Sequence, residues 1–309
     1  ANADDGISVS VGVTTDTGHL RLEGDADNAA DTNDNIQIAA GVTLTAANTL
    51  FLDATTGNMT GTGAVTLNAG NGVNLNDGLT SAGATIIDAD TNDNGSGTFT
   101  VASGKTLSTT SNTLSVTADD VDISGSINTG TAATTILISD GGTIGLGNSA
   151  RNLTLSGAEL QNITATGLTI GDATNGDVTV DGITAANSNN ISGTLTINAT
   201  NAASSISFSN TASTFNTLTA NAGNSITGNI PVTTDTGGLS FSAGAGITFN
   251  DTVTTAGATT IDADSDDSGA GTFSLNNALN TSNNTLSITA DDVAISNTIN
   301  TGSAAVTIL

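Results

Sequence analysis

The sequence predicts an all-β chain, a right-handed parallel β-helix (β-solenoid). Three observations carry that reading: short runs alternate with period 2, helical periodicity is nearly absent, and long segments recur in tandem. The runs include Val65-Thr66-Leu67, Leu114-Ser115-Val116, Leu153-Thr154-Leu155, Leu195-Thr196-Ile197, Ile247-Thr248-Phe249 and Leu286-Ser287-Ile288. Each places an apolar residue on one face and Thr or Ser on the other, the mark of a half-buried strand. Gly, Asn, Asp and Ser fill the gaps and supply turns. The spacing predicts about 25 strands, roughly 8–13 residues apart.

The repeats decide among all-β architectures. GATIIDADTNDNGSGT at Gly83–Thr98 returns, offset by 174, as GATTIDADSDDSGAGT at Gly257–Thr272. SNTLSVTADDVDIS at Ser111–Ser124 returns, offset by 172, at Asn283–Ser296, and Ile127–Leu137 returns at Ile299–Leu309. Near the start, VTTDTG at Val13–Gly18 returns at Val232–Gly237, offset by 219. These offsets predict a first module over 1–219 and a partial second copy over 220–309, in one continuous solenoid. The second copy lacks 45 residues, those between about Leu22 and Val65. A closed sandwich or barrel does not survive such a loss, whereas in a solenoid each coil contacts only its neighbours and about two coils drop out. The chain is expected to be a fragment of a longer tandem-repeat array.

A string of immunoglobulin-like domains is the rival fold, but the sequence has no Trp, no Tyr and one Pro, and no period near 100 residues. At roughly 22 residues per coil and about 4.8 Å per strand, the chain is expected to form about 14 coils, roughly 65 Å in all. All seven Phe residues, Phe51 among them, are expected to stack in the core.

Composition excludes several functions. The 309 residues carry 3 Lys plus Arg against 29 Asp plus Glu, for a net charge of −26. Three cations cannot neutralise a run of phosphates, so nucleic acid is not a partner. No stretch approaches 18 apolar residues, so no membrane insertion is expected. Any export signal is expected to lie outside this sequence. Without Cys there are no disulfides or thiolate sites. The low charge per residue and the mean hydropathy of +0.08 favour a folded chain over an acidic disordered one.

Several segments resemble the repeat regions of filamentous-haemagglutinin-type bacterial exoproteins. They are LRLEGDADNAADTNDNIQIAAGVTL from Leu20, LSVTADDVDISGSINTG from Leu114 and LQNITATGLTIGDATNGDVTVDGIT from Leu160. The resemblance implies a secreted, acidic, β-helical segment of a giant surface adhesin. It implies an extracellular or bacterial cell-surface location. It also implies partners among neighbouring repeats, like chains in a fibre, and host or cell-surface glycans or proteins.

No catalytic constellation is expected. Lyases of this shape need a Lys, Arg or Tyr base. His19, the single histidine, is replaced by Gly238 in the offset-219 comparison. The Asp119-Asp120 pair recurs as Asp291-Asp292, which suits a structural corner. The expectation is a non-enzymatic structural protein, with a carbohydrate-binding or carbohydrate-cleaving β-helix such as a phage tailspike as the alternative.

Calcium is the one cofactor the residues suggest. Asp262, Asp264 and Asp266 stand at i, i+2 and i+4, followed by Asp267 and Gly269; the counterpart is Asp88, Asp90, Asn92, Asp93 and Gly95. A third cluster holds Asp25 and Asp27, with Asp31 and Asp34. Alternate oxygens on a curving loop suit a hard cation that takes 6–8 oxygen ligands. The same pattern equally suits an acidic, solvated turn.

Overall fold

Alternating runs this short cannot bury a face alone; they do so by stacking on the next turn of chain. In the computed structural model, which describes residues 1–30 and 33–309, they form 38 short strands and two helical segments of 5 and 4 residues. The described strand pairings are parallel, and the fold is a β-solenoid of about 12 turns. Strands outnumber the expected 25 because each turn carries up to three. Turns are fewer than 14 because several are longer than 22 residues.

Two compact units divide the chain. The first is Ala1–Asp140 with Asn162–Thr166, and the second is Gly141–Gln161 with Gly167–Leu309. This division differs from the 1–219 and 220–309 repeat boundaries.

In the first unit the chain visits three faces in rotation. Ile7, Ile36, Met59, Leu79, Leu107, Ile127 and Ile163 stack in one file on the first face. Leu44, Leu67, Ile87, Val116 and Ile136 form a file on the second. On the third, Leu20, Leu50, Val73, Phe99 and Val121 are aligned. Parallel in-register pairing puts equivalent side chains one above another, so each file is a continuous apolar column.

The second unit repeats this scheme. Ile144, Val178, Ile206, Ile226, Ile247 and Phe273 form one file. Its early turns use the helical segment Ala185–Ser188 where later turns use strands. Thr184 caps that segment, and Ser188 Oγ donates to the Thr214 carbonyl. The core is aromatic: Phe208 stacks on Phe241 at 5.4 Å, Phe241 meets Phe249 edge-on at 5.8 Å, and Phe249 meets Phe273 at 5.6 Å. Six of the seven Phe are fully buried. Phe51 is the exception: in Leu50-Phe51-Leu52 the leucines face inward, so Phe51 lies outside against His19, ring centroids 5.7 Å apart. Alternation overrides its hydrophobicity.

The duplicated corners adopt matching backbones even at conformations rare for side-chain-bearing residues. Asp93 and Asp267 have φ of 50° and 52°, Thr110 and Ser282 48° and 51°, Ser111 and Asn283 64° and 66°. The offset-219 repeat fares differently. Val13–Thr14 begins the second face, which also holds Thr85–Asp88; Val232–Thr234 shares a sheet with Val253–Thr255, while Thr259–Asp262, the counterpart of Thr85–Asp88, lies in another. The two VTTDTG motifs thus occupy different faces, and 45 residues is not a whole number of turns.

Two deletions should separate these registers. Removing residues 59–78 joins Asn58 to Leu79, which stands in the same file as Met59; the shortened chain should keep a cooperative urea transition. Removing residues 23–64 joins a third-face strand to a second-face strand and should broaden or abolish that transition. Equal tolerance of both would show that register does not govern folding.

Candidate cation-binding loops

The paired acidic loops are insertions at the corner between two faces. Where that corner is short, Gly70–Gly72 suffices to pass from Val65–Ala69 to Val73–Leu75; at the acidic corner the chain runs from Asp88 to Thr98. The central carboxylate organises the loop. Asp90 accepts from the N–H groups of Asn94 at 3.4 Å and Gly95 at 3.1 Å, and from Ser139 Oγ at 2.7 Å. Asp264 likewise accepts from Ser268 N–H at 3.2 Å, Ser268 Oγ at 3.1 Å and Gly269 N–H at 3.0 Å. Both are loop-closing acceptors. Asp90 is fully buried, and the Ser139 hydroxyl reaches it from two turns further on.

The remaining predicted ligands scatter. Asp88 Oδ1 accepts from the Asp90 N–H, Asn92 Nδ2 donates to the Gly70 carbonyl, and Asp93 is exposed. Asp266 and Asp267 are exposed, and Asp262 is half-buried. Among the described residues no group of three or more acidic or histidine side chains is arranged to hold a metal.

Two residues outside the predicted ligand set, Asp140 and Asp119 of the recurring Asp119-Asp120 pair, complete the first loop's surroundings. A Cβ on Gly95 would stand 2.9 Å from Asp140 Oδ2 and 3.7 Å from Asp119 Oδ1. Burial pushes the Asp119 carboxyl above the usual range, and the charges of Asp140, Asp90 and Asp120 push it the same way. Burial also raises Asp88; its bond from the Asp90 N–H opposes this, while Asp93 and Asp90 add to it. At Asp264, desolvation is the largest single influence and pushes upward, but the donors of Gly269 and Ser268 together outweigh it and hold the carboxyl below the usual range.

The third cluster assembles differently. Asp25 is fully buried, and its Oδ2 accepts from Thr56 N–H at 2.8 Å and Thr56 Oγ1 at 2.7 Å. Asp34, also buried, approaches the same hydroxyl with its Oδ2 at 3.0 Å. Asp27 is exposed and accepts from Ala29 N–H at 2.9 Å. Asp31 lies outside the described residues. Thr56 comes a turn later in an unremarked Ala-Thr-Thr-Gly run, which is why spacing alone did not reveal it.

The three cations serve the stack. Lys105 pairs with buried Asp77 at 2.7 Å, Arg151 donates to Thr179 at 3.0 Å, and Arg21 reaches Glu23 at 3.1 Å and Asp53 at 3.8 Å. His19 is exposed, and its Nδ1 accepts from Thr49 N–H. A shallow groove of about 640 Å³ is lined by polar groups including Asp5, Asn35, Gln37 and Asn58. These features define a repetitive parallel β-solenoid with acidic corners. No protein family, curated protein sequence or solved structure matches the chain.

Because its folded pKa is raised, Asp119 binds a proton more readily folded than unfolded. Its charge therefore opposes folding at neutral pH, and that opposition fades as pH falls through the raised value towards the unfolded one near 3.9. Asp119→Asn should raise the urea midpoint at pH 7.5, with the gain shrinking as pH falls below the raised folded value and vanishing about a unit below the unfolded value near 3.9; a pH-independent gain would exclude this origin. Arg21→Gln should lower stability by up to about 1 kcal/mol at low salt, and less in 0.5 M NaCl. Equal losses at both salts would assign the effect to packing.

Proposed function

We propose that this chain is a structural, non-enzymatic segment of a secreted bacterial cell-surface or extracellular fibre or adhesin, serving as a stalk or filament subunit. The observation that carries this reading is the use of outward polar side chains to tie turn to turn. Asn250 Nδ2 donates to Asn229 Oδ1 at 2.8 Å, and Asn276 Nδ2 to Asn250 Oδ1 at 2.9 Å. Ser205 bonds Ser225 at 3.1 Å, and Thr106 bonds Ser126 at 2.8 Å. Such ladders reinforce a parallel stack along its length. Each added turn extends the stack by about 4.8 Å. The polar exterior and the charge of −26 favour solubility and discourage lateral association. Neighbouring repeats and like chains are the natural partners, with host or cell-surface glycans or proteins at the surface.

A second reading, a carbohydrate-binding or carbohydrate-cleaving β-helix, is favoured by one feature. Asp119, with its raised pKa, faces Asp140 from an adjacent turn beside the open side of Gly95. A raised carboxyl beside a second carboxyl is the arrangement glycoside hydrolysis uses.

Two measurements on the full chain discriminate. Small-angle scattering of one copy and of a tandem fusion should show the maximum dimension growing with copy number, and reducing-sugar release from a polysaccharide panel should stay at the buffer level. Sugar release that Asp119→Asn abolishes would overturn the structural reading. A fusion that fails to lengthen would do the same.

A further inference from the structure

We propose that Asp25, Asp34 and Thr56 form a calcium site in the first unit, distinct from the paired acidic loops. The three come from adjacent turns and meet at the corner between the third and first faces. Asp25 follows the strand Leu20–Glu23, Thr56 follows Leu50–Asp53 one turn on, and Asp34 precedes Ile36–Ile38.

The chemistry begins with the hydroxyl. Thr56 Oγ1 has one proton, yet Asp25 Oδ2 stands 2.7 Å from it and Asp34 Oδ2 3.0 Å from it. Two buried carboxylates thus converge on a single oxygen. The Ala29 carbonyl lies 3.5 Å from the same atom. Asp25 is fully buried, and its second oxygen, Oδ1, has no hydrogen-bond partner. A buried carboxyl oxygen without a partner is costly, and a cation is a group that relieves it. The basic side chains are engaged elsewhere: Arg21 at Glu23 and Asp53, Lys105 at Asp77, Arg151 at Thr179.

The cradle is also built to close tolerance. A Cβ on Gly57 would overlap the Asp34 carbonyl, so this residue has to be glycine for the chain at Thr56 to reach the two acids. The donor set is all oxygen, two carboxylates with a hydroxyl and a carbonyl in reach, which suits a hard cation. Burial selects among hard cations. Magnesium gives up water reluctantly, whereas calcium accepts flexible cages of protein oxygens. In the paired loops Asp262 Oδ1 is likewise buried without a partner, but both oxygens of the central Asp90 and Asp264 already accept hydrogen bonds. Asp25, by contrast, keeps an oxygen free and shares Thr56 with a second buried carboxylate.

The test uses the full chain, freed of metal with chelator and titrated calorimetrically with CaCl₂, alongside melting curves in chelator and in 2 mM CaCl₂ or MgCl₂ at NaCl-matched ionic strength. The wild type should bind calcium at this site and melt several degrees higher in calcium than in magnesium. Asp90→Asn with Asp264→Asn should leave that binding intact. Asp25→Asn keeps an acceptor for the Thr56 N–H and removes the charge. It should abolish the binding while melting in chelator at or above the wild type, an outcome a purely structural Asp25 would not produce. Thr56→Val keeps the backbone donor and should weaken binding at least tenfold, and it serves if Asp25→Asn fails to fold. No calcium-specific heat or melting shift, or binding lost in the paired-loop variant instead, would overturn the proposal.

Discussion

Everything in this fold depends on in-register parallel pairing between successive turns. A turn of chain exposes backbone N–H and C=O groups along its strands, and the neighbouring turns supply their partners. Pairing in register also dictates side-chain placement. A residue facing inward lies over the equivalent residue of the next turn, as Ile36, Met59, Leu79 and Leu107 do. The core is therefore a set of columns, and each column tolerates exchange among Ile, Leu, Val, Met and Phe. The aromatic column of the second unit shows the adjustment this requires: Gly228 separates Phe208 from Phe249, and Ala220 lies beside Phe241.

The same rule makes charge a problem on the outside. A carboxylate placed identically in each turn would stand about 4.8 Å from its copies. The chain carries 29 acidic residues, so their placement in the ladders matters. Asp88 lies between Asn68 and Thr117, Asp262 between Ser242 and Thr289, and Asp122 beside Thr100. Among the described pairings, one sets acid beside acid, Glu23 against Asp53, and that pair is straddled by Arg21. One of the three basic residues thus stands where the ladder puts like charges together, and Thr, Ser and Asn flank the other strand carboxylates named here. Other carboxylates sit at corners, where Asp27, Asp90, Asp172 and Asp264 accept from N–H groups of their own turns.

Corners are where the turns differ. The stacked strands keep register whatever lies between them, so a corner can be as short as Gly70–Gly72 or as long as the Asp88–Thr98 loop. Duplicated loops keep the same backbone because the strands that flank them are the same. Their surroundings nevertheless diverge. Asp90 is fully buried and is reached by Ser139 from two turns further on, whereas Asp264 is only half-buried. Identical local sequence thus yields carboxylates in unlike environments, which is a property of the stack and not of the loop.

Alternation and tandem recurrence alone determined that the chain is a β-solenoid, which residues form its columns, and that the acidic runs are corners. Those are local properties: period 2 selects the inward face, and Gly, Asn and Asp select the turn. Only the tertiary structure decided which face each strand occupies. It put the two VTTDTG motifs on different faces despite their identity, turned Phe51 outward, and brought Asp25, Asp34 and Thr56 to one corner. The reason is that face and contact depend on the length of chain accumulated between strands. Corners of unequal length make residues that are close in space unequally distant in sequence, from 20 residues between Thr106 and Ser126 to 31 between Asp25 and Thr56.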